Sequence, residues 1–147
     1  MHEKGCVLCE SDGGVLLADG GNWRVIRATD QKGFPFVYRV IWAQHVAEFS
    51  ELSLQEREQC MNAVAWVEQA VRDYLKPDKV NLAALGNMVP HLHWHIIARY
   101  TWDSHFPNPI WGQAVRDVAP EQWQGLEQQA KALGLYLKDN VRGLLLV

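Results

Sequence analysis

The sequence lacks most of the features that mark specialised protein classes. Its three cysteines, Cys6, Cys9 and Cys60, are too few and odd in number for a disulfide framework. No apolar run approaches the roughly 20 residues that span a bilayer. The start, Met1-His2-Glu3-Lys4-Gly5-Cys6, has no apolar signal-peptide core, so a cytoplasmic protein is expected. Fourteen Lys and Arg against 17 Asp and Glu give a net charge of −3, with no Lys/Arg cluster longer than two residues. Duplex nucleic acid and anionic membranes are therefore not expected partners. No internal repeat, low-complexity tract or Pro/Ser-rich linker divides the 147 residues, and 1–147 reads as a single domain.

What is present is an ordinary globular composition, 48% hydrophobic and 21% charged. At this length a core forms without help from a metal, so any metal site needs its own justification. Gly13-Gly14 and Gly20-Gly21 punctuate short strands, and Val15-Leu16-Leu17 with Trp23–Arg27 predicts a hairpin. Phe36–Trp42, β-branched and aromatic, predicts a third strand running into Ala43-Gln44-His45. Ser53-Leu54-Gln55-Glu56 has the form of a capping box, and Met61, Val64, Val67, Val71 and Leu75 follow at helical spacing until Lys76-Pro77. Cys60 lies in this helix as a packing residue. Val80–Leu85 and Leu92–Tyr100 predict two strands joined across Gly86-Asn87. Pro120 suits the start of a C-terminal helix over about 119–138 carrying Trp123, Leu126, Ala130, Leu133 and Leu137, weakened by Gly134. Strands on either side of a long helix, without βαβ alternation, predict an α+β fold with an antiparallel sheet of about five strands.

The chemistry concentrates in His91-Leu92-His93-Trp94-His95-Ile96-Ile97. In a strand, a period of two places the three imidazoles on one face and Leu92, Trp94 and Ile96 on the other. The rival reading, histidines alternating by chance on a solvated face, fits poorly with an uninterrupted run that ends in an apolar pair.

This stretch resembles the signature of the histidine triad (HIT) family, His-φ-His-φ-His-φ-φ with φ apolar, at every position. Asn81, Gly86, Val89 and Arg99 resemble the family's Asn…Gly-Gln-x-Val lead-in and trailing Arg, and the likeness spans about 6–111. The resemblance implies a HIT-like fold, a homodimer, and a nucleotide hydrolase or nucleotidyl transferase acting on purine nucleotides, as phosphoramidates or dinucleoside polyphosphates. It makes His93 the nucleophile toward the α-phosphorus, with His95, Asn81, Asn87 and backbone N–H groups stabilising charge on the non-bridging oxygens. A neutral imidazole suits that role at pH 7 if a backbone carbonyl holds the proton on its other nitrogen. His91 serves either phosphate or metal. Gly86 and Val89 belong to the nucleotide-binding loop, and Asp30 is placed near the ribose hydroxyls by position. Two positions depart from the pattern: Asn87 stands where Gln is common, and Met88 where many members carry Ser. The Gly-His that usually opens the strand before His45 is also missing. The departures leave open a second reading, a nucleotide-binding or partner-binding module with little turnover.

Cys6-x2-Cys9, His45 and His91 supply two thiolates and two imidazoles, the donor set of a tetrahedral zinc site. Several HIT branches and the related galactose-1-phosphate uridylyltransferase carry a similar set, which implies structural zinc here and no organic cofactor. The alternative is that Cys6 and Cys9 are packing residues and His45 an ordinary strand-end histidine. A redox Cys pair is disfavoured, because that motif opens a helix and a turn and hairpin are expected after Cys9. Three histidines of one strand converge poorly on one ion, which argues against a catalytic metal held by the triad alone. Trp23, Val25 and Ile26 are candidates for the base pocket. Trp94, Trp102, Phe106 and Trp111 are assigned to the core, ahead of a stacking role.

Overall fold

A computed structural model describes residues 2–145. Its elements in chain order are α1 (Val7–Glu10), β1 (Val15–Asp19), β2 (Trp23–Arg27), β3 (Val37–Trp42), α2 (Leu54–Leu75), β4 (Lys79–Ala83), β5 (His93–Arg99), α3 (Pro120–Gln124) and α4 (Glu127–Leu145). The strands form one antiparallel sheet in the order β1-β2-β3-β5-β4. The α+β architecture expected from the sequence is the one observed.

Alternation along the strands decides what each face of the sheet meets. Tyr38, Val40 and Trp42 of β3, with Ile96 and Ala98 of β5, join Val64, Val67, Val71 and Leu75 of α2 and Leu133 and Leu137 of α4 in the main core. The opposite residues, Ile26, Val37, Ile41 and Ile97, pack in a smaller cluster with Leu8, Phe34 and Ile110. On this second face β3 also carries Arg39 and β5 carries His95, paired directly across the two strands. Trp23 and Val25 belong to the main core, so of the three residues considered for a base pocket only Ile26 lies in the cluster on the histidine face.

The capping box at α2 forms as expected: Ser53 Oγ accepts from the Glu56 N–H at 3.2 Å, and the Glu56 carboxylate accepts from the Ser53 N–H at 2.7 Å. Lys76 ends the helix in the left-handed region, and Pro77 follows. Tyr100 then ties the end of β5 to this helix, its hydroxyl donating to the Leu75 carbonyl at 2.6 Å.

The structure corrects four local expectations. The C-terminal helix is two helices broken around Gly125-Leu126, and the second continues to Leu145, because Gly134 is accommodated where α4 packs closely against Leu17 of β1. A Cβ at Gly134 would stand 3.3 Å from the Leu17 side chain. Cys6 is followed by the single helical turn of α1, its carbonyl accepting from the N–H groups of Cys9 and Glu10. β4 and β5 are shorter than expected, and β5 begins at His93. His91 therefore precedes the strand, its N–H donating to the Val89 carbonyl in a tight turn.

Candidate active site and metal centre

The turn at 89–91 sends the three histidines to two destinations. His91 is fully buried, and its Nδ1 lies 3.4 Å from Cys6 Sγ, 3.5 Å from Cys9 Sγ and 3.2 Å from His45 Nδ1. Cys9 Sγ is also 3.5 Å from His45 Nδ1. Bonds of about 2.0–2.1 Å to nitrogen and 2.3 Å to sulfur put neighbouring corners of a zinc tetrahedron roughly 3.3–3.8 Å apart, close to these four separations. The four ligand atoms all lie within 4.8 Å of one another. The surroundings agree: His91 Nε2–H donates to the Trp42 carbonyl at 2.6 Å, leaving the Nδ1 lone pair directed into the group. The Glu3 N–H approaches Cys9 Sγ at 3.3 Å. Arg24 clamps the segment that carries the cysteines, donating to the carbonyls of Leu8, Ser11 and Asp12.

His93 and His95 remain on the sheet face, with ring centroids 5.0 Å apart. The His93 Nδ1–H donates to the His91 carbonyl at 2.6 Å, which leaves Nε2 with a bare lone pair. Burial pulls the His93 pKa below its ordinary value despite that bond. His95 is pulled further, to about 4, by burial first and then by the Arg39 guanidinium. Both rings are therefore neutral at pH 7, the form a nucleophile or a neutral donor requires. The Trp111 and His95 rings meet in a T-shaped arrangement, 5.1 Å between centroids.

A HIT-domain model matches residues 22–102, more than half of the chain. The chain belongs to the HIT family. Solved structures agree with a HIT domain over most of its length. A histidine triad protein from Bradyrhizobium japonicum is 29% identical, with a TM-score of 0.64 over 83% of this chain and 92% of that one. A histidine triad protein from Marinobacter aquaeolei is 26% identical, with a TM-score of 0.66 over 86% and 92%. A hypothetical histidine triad nucleotide-binding protein from Sulfolobus tokodaii shares the fold at 18% identity, with a TM-score of 0.62 over 92% and 93%. No curated protein matches the sequence.

Within this HIT domain the other candidate residues occupy distinct places. The Asn81 side-chain carbonyl accepts from Arg99 at 2.8 Å, which leaves its amide N–H groups as donors at the β4 edge. There a recess of about 460 Å³ is lined by Asn81, Ala83, Ile97, Ile110 and Trp111 among others. A larger cleft of about 840 Å³, between α4 and β1, includes no triad residue. Gly86 has φ +71, a conformation that favours glycine, and shapes the loop leading to the triad. Asn87 is exposed, and Met88 is 95% exposed. Val89 contributes the carbonyl that fixes the His91 turn. Asp30 is exposed and pairs with Arg39 at 2.9 Å; burial raises its pKa, and the guanidinium more than reverses this.

Trp94 and Trp102 pack against the main core, whereas Trp111 is 44% exposed and lies on the site. The assignment of Trp111 to the core is therefore corrected. Sequence reasoning also passed over Arg39, whose signal was a lone charge in the apolar run Val37-Tyr38-Arg39-Val40-Ile41.

Proposed function

We propose that this HIT domain hydrolyses or transfers nucleoside monophosphate groups through a covalent nucleotidyl intermediate on His93. The observation that carries this reading is the 2.6 Å bond from the His93 Nδ1–H to the His91 carbonyl, which orients a neutral ring and frees Nε2. In the first step the Nε2 lone pair forms a bond to the α-phosphorus, and the bond to the leaving group breaks. The leaving group departs with its electron pair and takes up a proton. In the second step a water oxygen bonds to phosphorus while the P–N bond breaks, its electrons return to Nε2, and the water proton passes to solvent. An acceptor hydroxyl in place of water makes the reaction a transfer. His95, Asn81 and Asn87 supply donors to the non-bridging oxygens, Gly86 and Val89 shape the phosphate loop, and Asp30 faces the ribose.

Purine phosphoramidates and dinucleoside polyphosphates are the substrate classes to test. Cys6, Cys9, His45 and His91 would hold structural zinc, whose contribution is to tie the N-terminal segment to the triad turn. His91 then serves the metal with its ring and His93 with its carbonyl, and takes no direct part at phosphorus. No helix among the described residues is long and apolar enough to cross a membrane; a cytoplasmic location is proposed from the small, odd cysteine count of the sequence. A homodimer is proposed from the family.

The test is release of nucleoside monophosphate from both substrate classes, with His93→Ala alongside. The variant should lose at least about a thousandfold in turnover while keeping its fold. Equal rates in variant and wild type would refute the nucleophile assignment. A second reading, binding with little turnover, is favoured by Met88 standing 95% exposed where a hydroxyl is common. Calorimetric nucleotide binding with no trapped covalent adduct would select it.

A further inference from the structure

We propose that Arg39 is a positioning residue that fixes His95 in the tautomer protonated on Nε2, so that His93 and His95 face the substrate as opposite tautomers, one a bare nucleophile and the other a neutral donor. The assignment of those roles rests on the phosphoryl-transfer reading above; the tautomer itself does not.

The geometry is that Arg39 Nε lies 3.3 Å from His95 Nδ1, the two residues being direct cross-strand partners. A guanidinium has only N–H groups to offer and does not lose its proton in proteins. The His95 nitrogen that meets it must therefore present a lone pair, and the proton of the neutral ring resides on Nε2. His93 meets the opposite kind of neighbour. A carbonyl oxygen only accepts, so it draws the His93 proton onto Nδ1 and empties Nε2. Two neighbouring histidines on one strand face are thus set oppositely by a donor on one side and an acceptor on the other.

Asp30 completes the device. Its two carboxylate oxygens take both terminal guanidinium nitrogens, at 2.9 and 3.3 Å, which turns Nε–H toward His95 and balances the charge of a side chain only 11% exposed. Protonation of His95 on Nδ1 would set N–H against N–H. Arg39, His93 and Asp30 are the titratable groups acting on this ring, and burial together with Arg39 holds it neutral. A guanidinium in a strand whose other residues are aliphatic or aromatic is costly to bury, and locking a neighbouring ring gives it a function that packing alone would not require.

The experiment is ¹⁵N–¹H correlation of the histidine rings in the full chain near pH 7 without substrate, with His95 assigned through His95→Asn. Wild type should show His95 protonated on Nε2 and His93 on Nδ1. In Arg39→Met, His95 should become a tautomer mixture while His93 is unchanged, and Arg39→Lys, which keeps a donor, should restore much of the wild-type pattern. Turnover in Arg39→Met should fall on the order of 100-fold in kcat with little change in KM. The wild-type tautomer is read without any Arg39 variant: His95 protonated on Nδ1 there, or a pattern unaltered by Arg39→Met, overturns the inference. A correct tautomer pattern in a protein that turns over no nucleotide would uphold the Arg39 assignment and refute the phosphoryl-transfer reading instead.

Discussion

His95 is 6% exposed, and its ordinary pKa of 6.5 falls to about 4 in the folded chain. Between those values the unfolded chain binds a proton that the folded chain refuses. The contribution is therefore complete above about pH 6.5, is lost as pH falls from 6.5 to 4, and changes no further below that. The full loss amounts to roughly 3 kcal/mol. His93 is shifted in the same direction by burial, so it steepens the same limb. Urea midpoints measured from pH 7 to pH 4.5 should fall for wild type, and the slope should be shallower in His95→Asn. Parallel curves would show that this ring is not what acid attacks.

Among the elements, the segment after β5 depends on one buried ion pair. Asp103 is fully buried, receives two bonds from Arg99 at 2.8 and 3.1 Å, and accepts from the backbone N–H groups of Tyr100, His105 and Phe106. Arg99 reaches on to Asn81 and to the Asn108 carbonyl, so the same pair positions a candidate phosphate contact and the loop that delivers Trp111. Asp103→Ala leaves a buried guanidinium and several N–H groups without partners, and should destabilise the fold by about 3–5 kcal/mol in chemical denaturation. Its nucleotide affinity should weaken as well, since Asn81 and Trp111 lose their support. Unchanged stability would show that the network is dispensable. Helix α2 was legible because capping and helical spacing are local signals. The α3–α4 break was not, since Gly125 and Gly134 read alike in sequence while only Gly134 is accommodated by close packing on β1.

On the scale of the whole molecule, the Cys6, Cys9, His45 and His91 group joins the N-terminal turn, the segment after β3 and the approach to β5. Zinc should be present at about one ion per chain, and Cys6→Ala should lower that content. Stripping the metal should reduce Tm by roughly 10 °C, because a tightly bound ion stabilises the state that assembles its ligands. Full metal content in Cys6→Ala would refute the site. Exposed Leu82 on the edge strand β4, with Leu85 and Met88 beyond it, offers an apolar margin for a second copy. Sedimentation should give twice the 16.8 kDa chain mass, and a monomer at micromolar concentration would exclude the proposed homodimer.

Sequence by itself determined the strand alternation, the capped helix and the His-φ-His-φ-His run, because period, caps and turn residues act over a few neighbours. It also presented the right metal donors without showing that they meet. Tertiary structure alone decided that His91 leaves the strand face for the cysteines, and which carbonyl holds the His93 proton. It likewise decided that Arg39 answers His95. Cys6 and His91 lie 85 residues apart and Arg39 and His95 lie 56 apart, so their partnership exists only once the sheet order and register are set. A hydrogen bond depends on tenths of an ångström between such segments, and no local pattern encodes that distance.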